Sequence, residues 1–142
     1  RPDTDRKRMK QAKLPPMRFE STDGYPIYVG RNNRQNDELT FRLARKDDIW
    51  CHASKVHGSH VIISCGGTTP PDDTVTQAAQ LAAYYAETGG GQNIPVDVTA
   101  VKQVKKIPNG KPGMVIYHTY RTVIANPYPD IVVDALNAET KE

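Results

Sequence analysis

The sequence predicts an α+β domain: a mostly antiparallel sheet covered by one principal helix at about 73–88, with a shorter helix or turn near 32–40. Three observations lead there. Short apolar, β-branched runs recur between turn dipeptides such as Asp23-Gly24, Asn109-Gly110 and Pro112-Gly113, the punctuation expected of hairpin-connected strands. One stretch, from Val75 to Ala86, carries an apolar stripe at helical spacing. The length, 142 residues, suits a single domain with one layered core.

The elements follow in order. Residues 1–16 form a basic, polar lead-in ending at Leu14-Pro15-Pro16, where the paired prolines block any arriving helix. The domain proper spans 17–129, and 130–142 is a C-terminal tail. Phe19 and Tyr25 to Gly30 predict two short strands joined at Asp23-Gly24, with Pro26 restricted to an edge or a strand start. The polar segment Arg31 to Glu38 is too hydrophilic for core. Leu39, Phe41 and Leu43 alternate like a strand, while Leu39 and Leu43 also fit one helical face, so periodicity leaves both open. Ile49–Ala53 and His60–Ser64 are expected strands. Pro70-Pro71-Asp72-Asp73 introduces the principal helix: Thr74 and Gln77 have capping-box spacing, and the two aspartates suit the positive end of the dipole. Gly89-Gly90-Gly91 is expected to end it. Val96–Val101 and the stretch from Met114–Tyr117 through Val123-Ile124 complete the sheet.

Composition narrows the class. The chain is 37% hydrophobic and 25% charged, with a mean hydropathy of −0.63, and no apolar run approaches the ~18 residues of a membrane-spanning helix. No secretory signal is visible, and a start at Arg1 is expected of a fragment of something longer. Cys51 and Cys65 are the reduced pair of a cytoplasmic protein in this reading. The net charge of +3 is mild but segregated. Residues 98–129 hold Lys102, Lys105, Lys106, Lys111 and Arg121 and no acid, whereas 56–101 hold four acids and no Lys or Arg. Such segregation attracts a polyanion when the fold gathers the basic segments, and is otherwise a solvated face.

The densest polar cluster is Asp48-x-Trp50-x-His52 followed by His57-x-x-His60. On a strand, Asp48, Trp50 and His52 share one face. Zinc accepts these ligand types, but the spacing matches no metal signature, and Asp48 or a carbonyl fixing the tautomer of His52 explains the cluster as well. Cys51 points away from His52, and no nucleophile with a matching base or phosphate-cradling glycine loop appears. Nucleic-acid binding uses the remainder. Arg31, Arg34, Arg42, Arg45 and Lys46 suit phosphates, Asn32, Asn33 and Asn36 suit backbone or base edges, and Trp50, Tyr117 and Tyr120 offer stacking faces. A protein-interaction module explains the same residues equally well at this level.

Three segments then resemble a known family. Gly30-Arg31-Asn32-Asn33-Arg34-Gln35-Asn36-Asp37, Ala44-Arg45-Lys46-Asp47-Asp48-Ile49-Trp50-Cys51-His52-Ala53 and Gly58-Ser59-His60-Val61-Ile62-Ile63 closely resemble the NFACT-R domain. This is the RNA-binding C-terminal domain of the RqcH and NEMF family, whose bacterial members also carry the name fibronectin-binding protein. Pro70-Pro71-Asp72, the alanine-rich helix and Pro95 through Lys106 before Gly110-Lys111-Pro112-Gly113 fit too, so the likeness runs from about Phe19 to Pro127.

The resemblance implies a non-catalytic role in ribosome-associated quality control, with tRNA and the obstructed large ribosomal subunit as partners and alanine tailing of stalled nascent chains as the outcome. It implies an upstream NFACT-N domain and coiled coil, the end of which residues 1–13 resemble, and neither cofactor nor metal. The expected RNA-binding set is Arg31, Asn32, Asn33, Arg34, Arg45, Lys46, Asp48, Trp50, His52, Ser59, His60, Lys102, Lys105 and Lys106. Two positions depart from the family pattern: His57 stands where proline is frequent, and Cys51 where an aliphatic or aromatic residue is usual. The alternative is a module that docks on ribosomal proteins or on a matrix protein such as fibronectin.

Overall fold

The alternating direction of side chains along each strand sorts them onto two unlike faces of one sheet. The computed structural model describes residues 14–128 and Ile131; the basic lead-in up to Lys13 and the tail beyond Ile131 lie outside the described residues. In chain order come β1 (Met17–Glu20), β2 (Pro26–Val29), α1 (Asn33–Glu38), a π-helical turn (Leu39–Leu43), β3 (Ile49–Ala53) and β4 (Val61–Ile63). They are followed by α2 (Asp72–Tyr84), β5 (Ile94–Ala100), a 3-10 turn (Val101–Gln103), β6 (Lys105–Lys106), β7 (Val115–Ile116) and β8 (Arg121–Ala125). Six strands form an antiparallel sheet in the order β1-β2-β4-β3-β5-β8, and β6 pairs with β7 in a separate ribbon. The α+β class stands as expected.

One face lies under α2. Ile27, Val29, Cys51, Ala53, Val61, Ile63, Val96 and Val98 meet Val75, Ala78, Ala79, Leu81 and Ala82 there. The small alanines let helix and sheet approach closely, which suits interiors packed as densely as crystals. The opposite face carries Trp50 and Ile62, covered by Leu39, Val101 and Val104, with Tyr28, Phe41, Val115 and Tyr117 around them.

Two local expectations are corrected, and one that periodicity left open is decided. Thr74 does not cap α2: the cap position is Pro71, without a side-chain bond. Thr74 instead lies inside the helix, donating to Asp23 Oδ2 at 2.8 Å and accepting from Ser21 Oγ at 2.8 Å. Gln77 pairs with Thr22 through both backbone and hydroxyl. The capping-box residues thus tie α2 to the β1–β2 turn.

The helix also ends at Tyr84, before the glycines. Ser59 N–H donates to Tyr85 O and Glu87 N–H to His57 O, pulling the chain into a bridge between Gly58 and Ala86. A Cβ on Gly58 would lie 2.8 Å from Ala86 Cβ, so this approach needs glycine. Leu39–Leu43 is helical, because Asn32 caps α1 through Gln35 N–H and the chain continues into the π turn, closed by Ala44 N–H on Leu39 O. Finally, the run from Met114 to Ile124 is divided between the ribbon and the edge strand β8.

Candidate nucleic-acid interface

The alternation of β3 points Trp50 and His52 away from α2, and Asp97, opposite His52 on β5, shares their face. The Trp50 ring stacks on His52 with centroids 5.6 Å apart and planes 5° from parallel. It meets His60 edge-on at 5.3 Å and Tyr117 at 4.9 Å. These pairings fill the sheet face with flat side chains in the offset and edge geometries aromatic rings prefer.

The polar atoms of the cluster are fixed in role. His60 Nε2 lies 3.1 Å from the Gly113 carbonyl, which can only accept, so Nε2 carries the proton and Nδ1 accepts from the Thr40 hydroxyl at 2.8 Å. Burial, reinforced by the nearby His52, pushes the His60 pKa down to about 3. His52 Nδ1–H donates to Ala53 O at 2.7 Å, and burial likewise lowers its pKa. Burial thus favours the neutral form of both rings. Asp97 accepts from Tyr117 Oη at 2.5 Å and from Thr122 Oγ1 at 3.1 Å. Burial, then the bond to Asp97, holds the Tyr117 phenol above its ordinary range.

The segment from Gly30 to Asp37 builds the neighbouring wall. Gln35 accepts from Arg31 N–H and donates to Leu14 O, and Asn36 Oδ1 accepts from His60 N–H at 3.1 Å. Gly30 is required here: a Cβ at that position would fall 1.9 Å from Asn36 Oδ1. Ser59 Oγ donates to Gly30 O. Asp37 accepts from Gly113 N–H at 3.4 Å and pairs with Lys106 at 2.9 Å, tying the β6–β7 ribbon to α1.

A cleft of about 500 Å³ opens between the ribbon and the β3–β4 loop, lined by Trp50, His52, Tyr117, Lys55, His57 and Lys111 among others. Two further depressions share residues with it, one reaching Arg31, Asn32, Ser59 and Glu87, the other Asn33, Arg34 and Lys111. The three depressions adjoin at Asn33, which lines each of them, and are together called the groove; cations and Glu87 line it, with aromatic rings in the cleft.

The predicted residues divide accordingly. Arg31, Asn32, Asn33, Arg34, Ser59 and His52 come together along this groove, while Trp50 is fully buried in its wall and His60 is buried beneath it. Arg45, Lys46 and Lys102 gather at the far end of β3, where Lys102 N–H donates to Lys46 O. Asp48 lies there too, its buried carboxylate accepting from the N–H groups of Arg45, Cys65 and Gly66. Lys105 and Lys106 stand exposed on the ribbon. Sequence reasoning missed Lys55 and Lys111 as groove residues and set His57 aside. Only Lys55 carries a local mark, a left-handed φ of 60° in a tight loop. Among the described residues no group of three or more His, Cys, Asp or Glu side chains could hold a metal ion. No helix among them is long and apolar enough to cross a membrane.

A sheet with one face sealed by a helix and the other bordered by a cation-lined aromatic cleft is an α+β module with a candidate polyanion-binding face. The chain belongs to the family described as NFACT protein RNA binding domain, which matches residues 16–119. It is 46% identical over 116 residues to the Rqc2 homolog RqcH of Bacillus subtilis, covering 81% of this chain and 20% of that protein. To the Rqc2 homolog RqcH of Streptococcus suis it is 42% identical over 116 residues, covering 81% and 21%. The solved C-terminal part of the fibronectin/fibrinogen-binding protein of Streptococcus suis superimposes with a TM-score of 0.81 at 40% identity, over 86% of this chain and 49% of that one. The chain therefore spans about a fifth of the length of the curated relatives it matches.

Proposed function

We propose that this chain is the RNA-binding domain of a ribosome-associated quality-control factor acting in the cytoplasm. It binds tRNA, the obstructed large ribosomal subunit or both, and so supports alanine tailing of stalled nascent chains. In this reading the domain binds and positions, and the ribosome makes the peptide bonds. Its remaining partner is the rest of its own parent chain.

The observation that carries the reading is this set of adjoining, cation-lined depressions. Arg31, Arg34, Lys55 and Lys111 line it, all exposed, and it ends against the rings of His52 and Tyr117. Phosphate neutralisation by exposed cations together with stacking surfaces is how proteins hold unpaired RNA. The RNA-binding family and the relatives named RqcH support the same reading.

The test is fluorescence polarisation with deacylated tRNA and sedimentation with large subunits, each across a salt series. Log affinity is expected to fall linearly with log salt, and the double change Arg31→Gln with Arg34→Gln to flatten that slope by roughly 1–2. A structural relative named for fibronectin and fibrinogen binding favours a second reading, a protein-docking module. Salt-insensitive binding to the subunit without binding to tRNA would select it.

A further inference from the structure

The indole N–H of Trp50 has no hydrogen-bond partner among the described residues, although the ring is fully buried. A buried donor left unpaired is costly and calls for an explanation. The surrounding groups are already committed: His52 Nδ1 to Ala53 O, both nitrogens of His60 to Thr40 and Gly113, and the Tyr117 hydroxyl to Asp97. None of these groups pairs with the indole N–H. Yet Trp50 forms part of the wall of the cleft of about 500 Å³, together with His52 and Tyr117. That volume lies in the range of small-molecule sites. Two cations, Lys55 and Lys111, line the same cleft.

We propose that this cleft takes one unpaired nucleotide of the bound RNA, with an acceptor edge of the base satisfying the Trp50 indole N–H, directly or through one held water, and the phosphate against Lys55 and Lys111. The proposal rests on the RNA-binding reading and adds to it a defined base pocket. The occupant must carry an acceptor to meet the buried donor and an anionic group to meet the two lysines. An unpaired nucleotide meets both requirements. The pocket contributes position on the strand, while the rest of the groove contributes phosphate affinity.

Trp50 is the chain's single tryptophan, so its indole gives one N–H cross-peak that reports on this site alone. The experiment titrates the ¹⁵N-labelled chain with uridine and guanosine 5′-monophosphates, with ribose 5-phosphate as the control lacking a base. Binding of single-stranded RNA is measured in parallel by polarisation. The expected result is a saturable shift of the indole peak with the nucleotides and none with ribose 5-phosphate. Trp50→Phe, which keeps a ring but removes the donor, is expected to weaken uridine monophosphate about fivefold by calorimetry. An indole peak that stays still while RNA binds overturns the pocket and leaves the RNA reading intact. An equal shift with ribose 5-phosphate also overturns it, making the cleft an anion site. Absence of any RNA binding removes both readings.

Discussion

The two faces of the sheet are built on different principles. Under α2 the contacts are apolar, with Ala78, Ala79 and Ala82 fully buried against Ile27, Val61 and Val96. Such a face is held by burial and packing, which are non-directional and insensitive to pH. On the other face aromatic rings are pinned by a directional network running from Asn36 through His60 to Gly113, and from Asp97 to Tyr117. That face leaves a groove open and a buried donor unpaired. The difference bears on the proposed function: the apolar face holds the fold, and the polar face retains the unfilled bonding capacity that the proposed ligand would use.

The strongest way to break the comparison is to damage the polar face without touching an apolar contact. Gly30→Ala places a methyl 1.9 Å from Asn36 Oδ1, displacing the acceptor of the buried His60 N–H. The collision and the orphaned donor together are expected to cost at least about 3 kcal/mol, read by urea denaturation. Adding Asn36→Ala removes the side-chain collision, leaving a 3.1 Å contact with the Asn36 Cα and the missing acceptor, so it should restore part of the loss. A Gly30→Ala chain as stable as the parent would show that this face yields freely.

A milder test uses protons. His60 titrates near about 3 when folded, against ~6.5 when unfolded. The unfolded chain therefore takes up a proton that the folded chain refuses. The stability from neutral His60 is complete above ~6.5 and is lost as pH falls from there toward 3. Between pH 7 and pH 5 His60 alone is expected to remove about 2 kcal/mol, and His52, lowered by burial, acts in the same direction. Denaturation midpoints at the two pH values check this. Equal midpoints would mean that the His60 ring takes its proton while folded.

How much of this was legible in the sequence follows from the same contrast. Strand alternation and the alanine stripe of α2 obey local periodicities, so the class, most strands and the inward turn of Cys51 could be read directly. The capping-box pattern at Thr74 and Gln77 misled because both side chains are taken by Ser21, Thr22 and Asp23, some fifty residues away. The polar segment Arg31 to Asp37 read as a surface rich in nucleic-acid donors. Yet Gln35 and Asn36 are buried and serve the fold, while Arg31 and Arg34 remain exposed. Lys55 and Lys111 were not legible as groove residues because only the docking of the ribbon beside the β3–β4 loop makes them neighbours.

The finest test separates two lysines that charge counting treats alike. Lys106, at the ribbon's base, is paired with Asp37 at 2.9 Å and lies 5.2 Å from the centre of the Phe41 ring. Lys111, near the ribbon's tip, lines the cleft and has no ion-pair partner among the described residues. A cation already neutralised by a carboxylate displaces few counterions when RNA arrives, whereas an unpaired one displaces nearly a full charge. Lys106→Gln is therefore expected to change the slope of log affinity against log salt by less than about 0.3, and Lys111→Gln to flatten it by about 0.7–0.9. Both changes should alter stability by less than about 1 kcal/mol, since exposed ion pairs contribute little. If the two variants flatten the slope equally, the RNA runs over the base of the ribbon as well as its tip, and the path of the strand must be redrawn across Asp37.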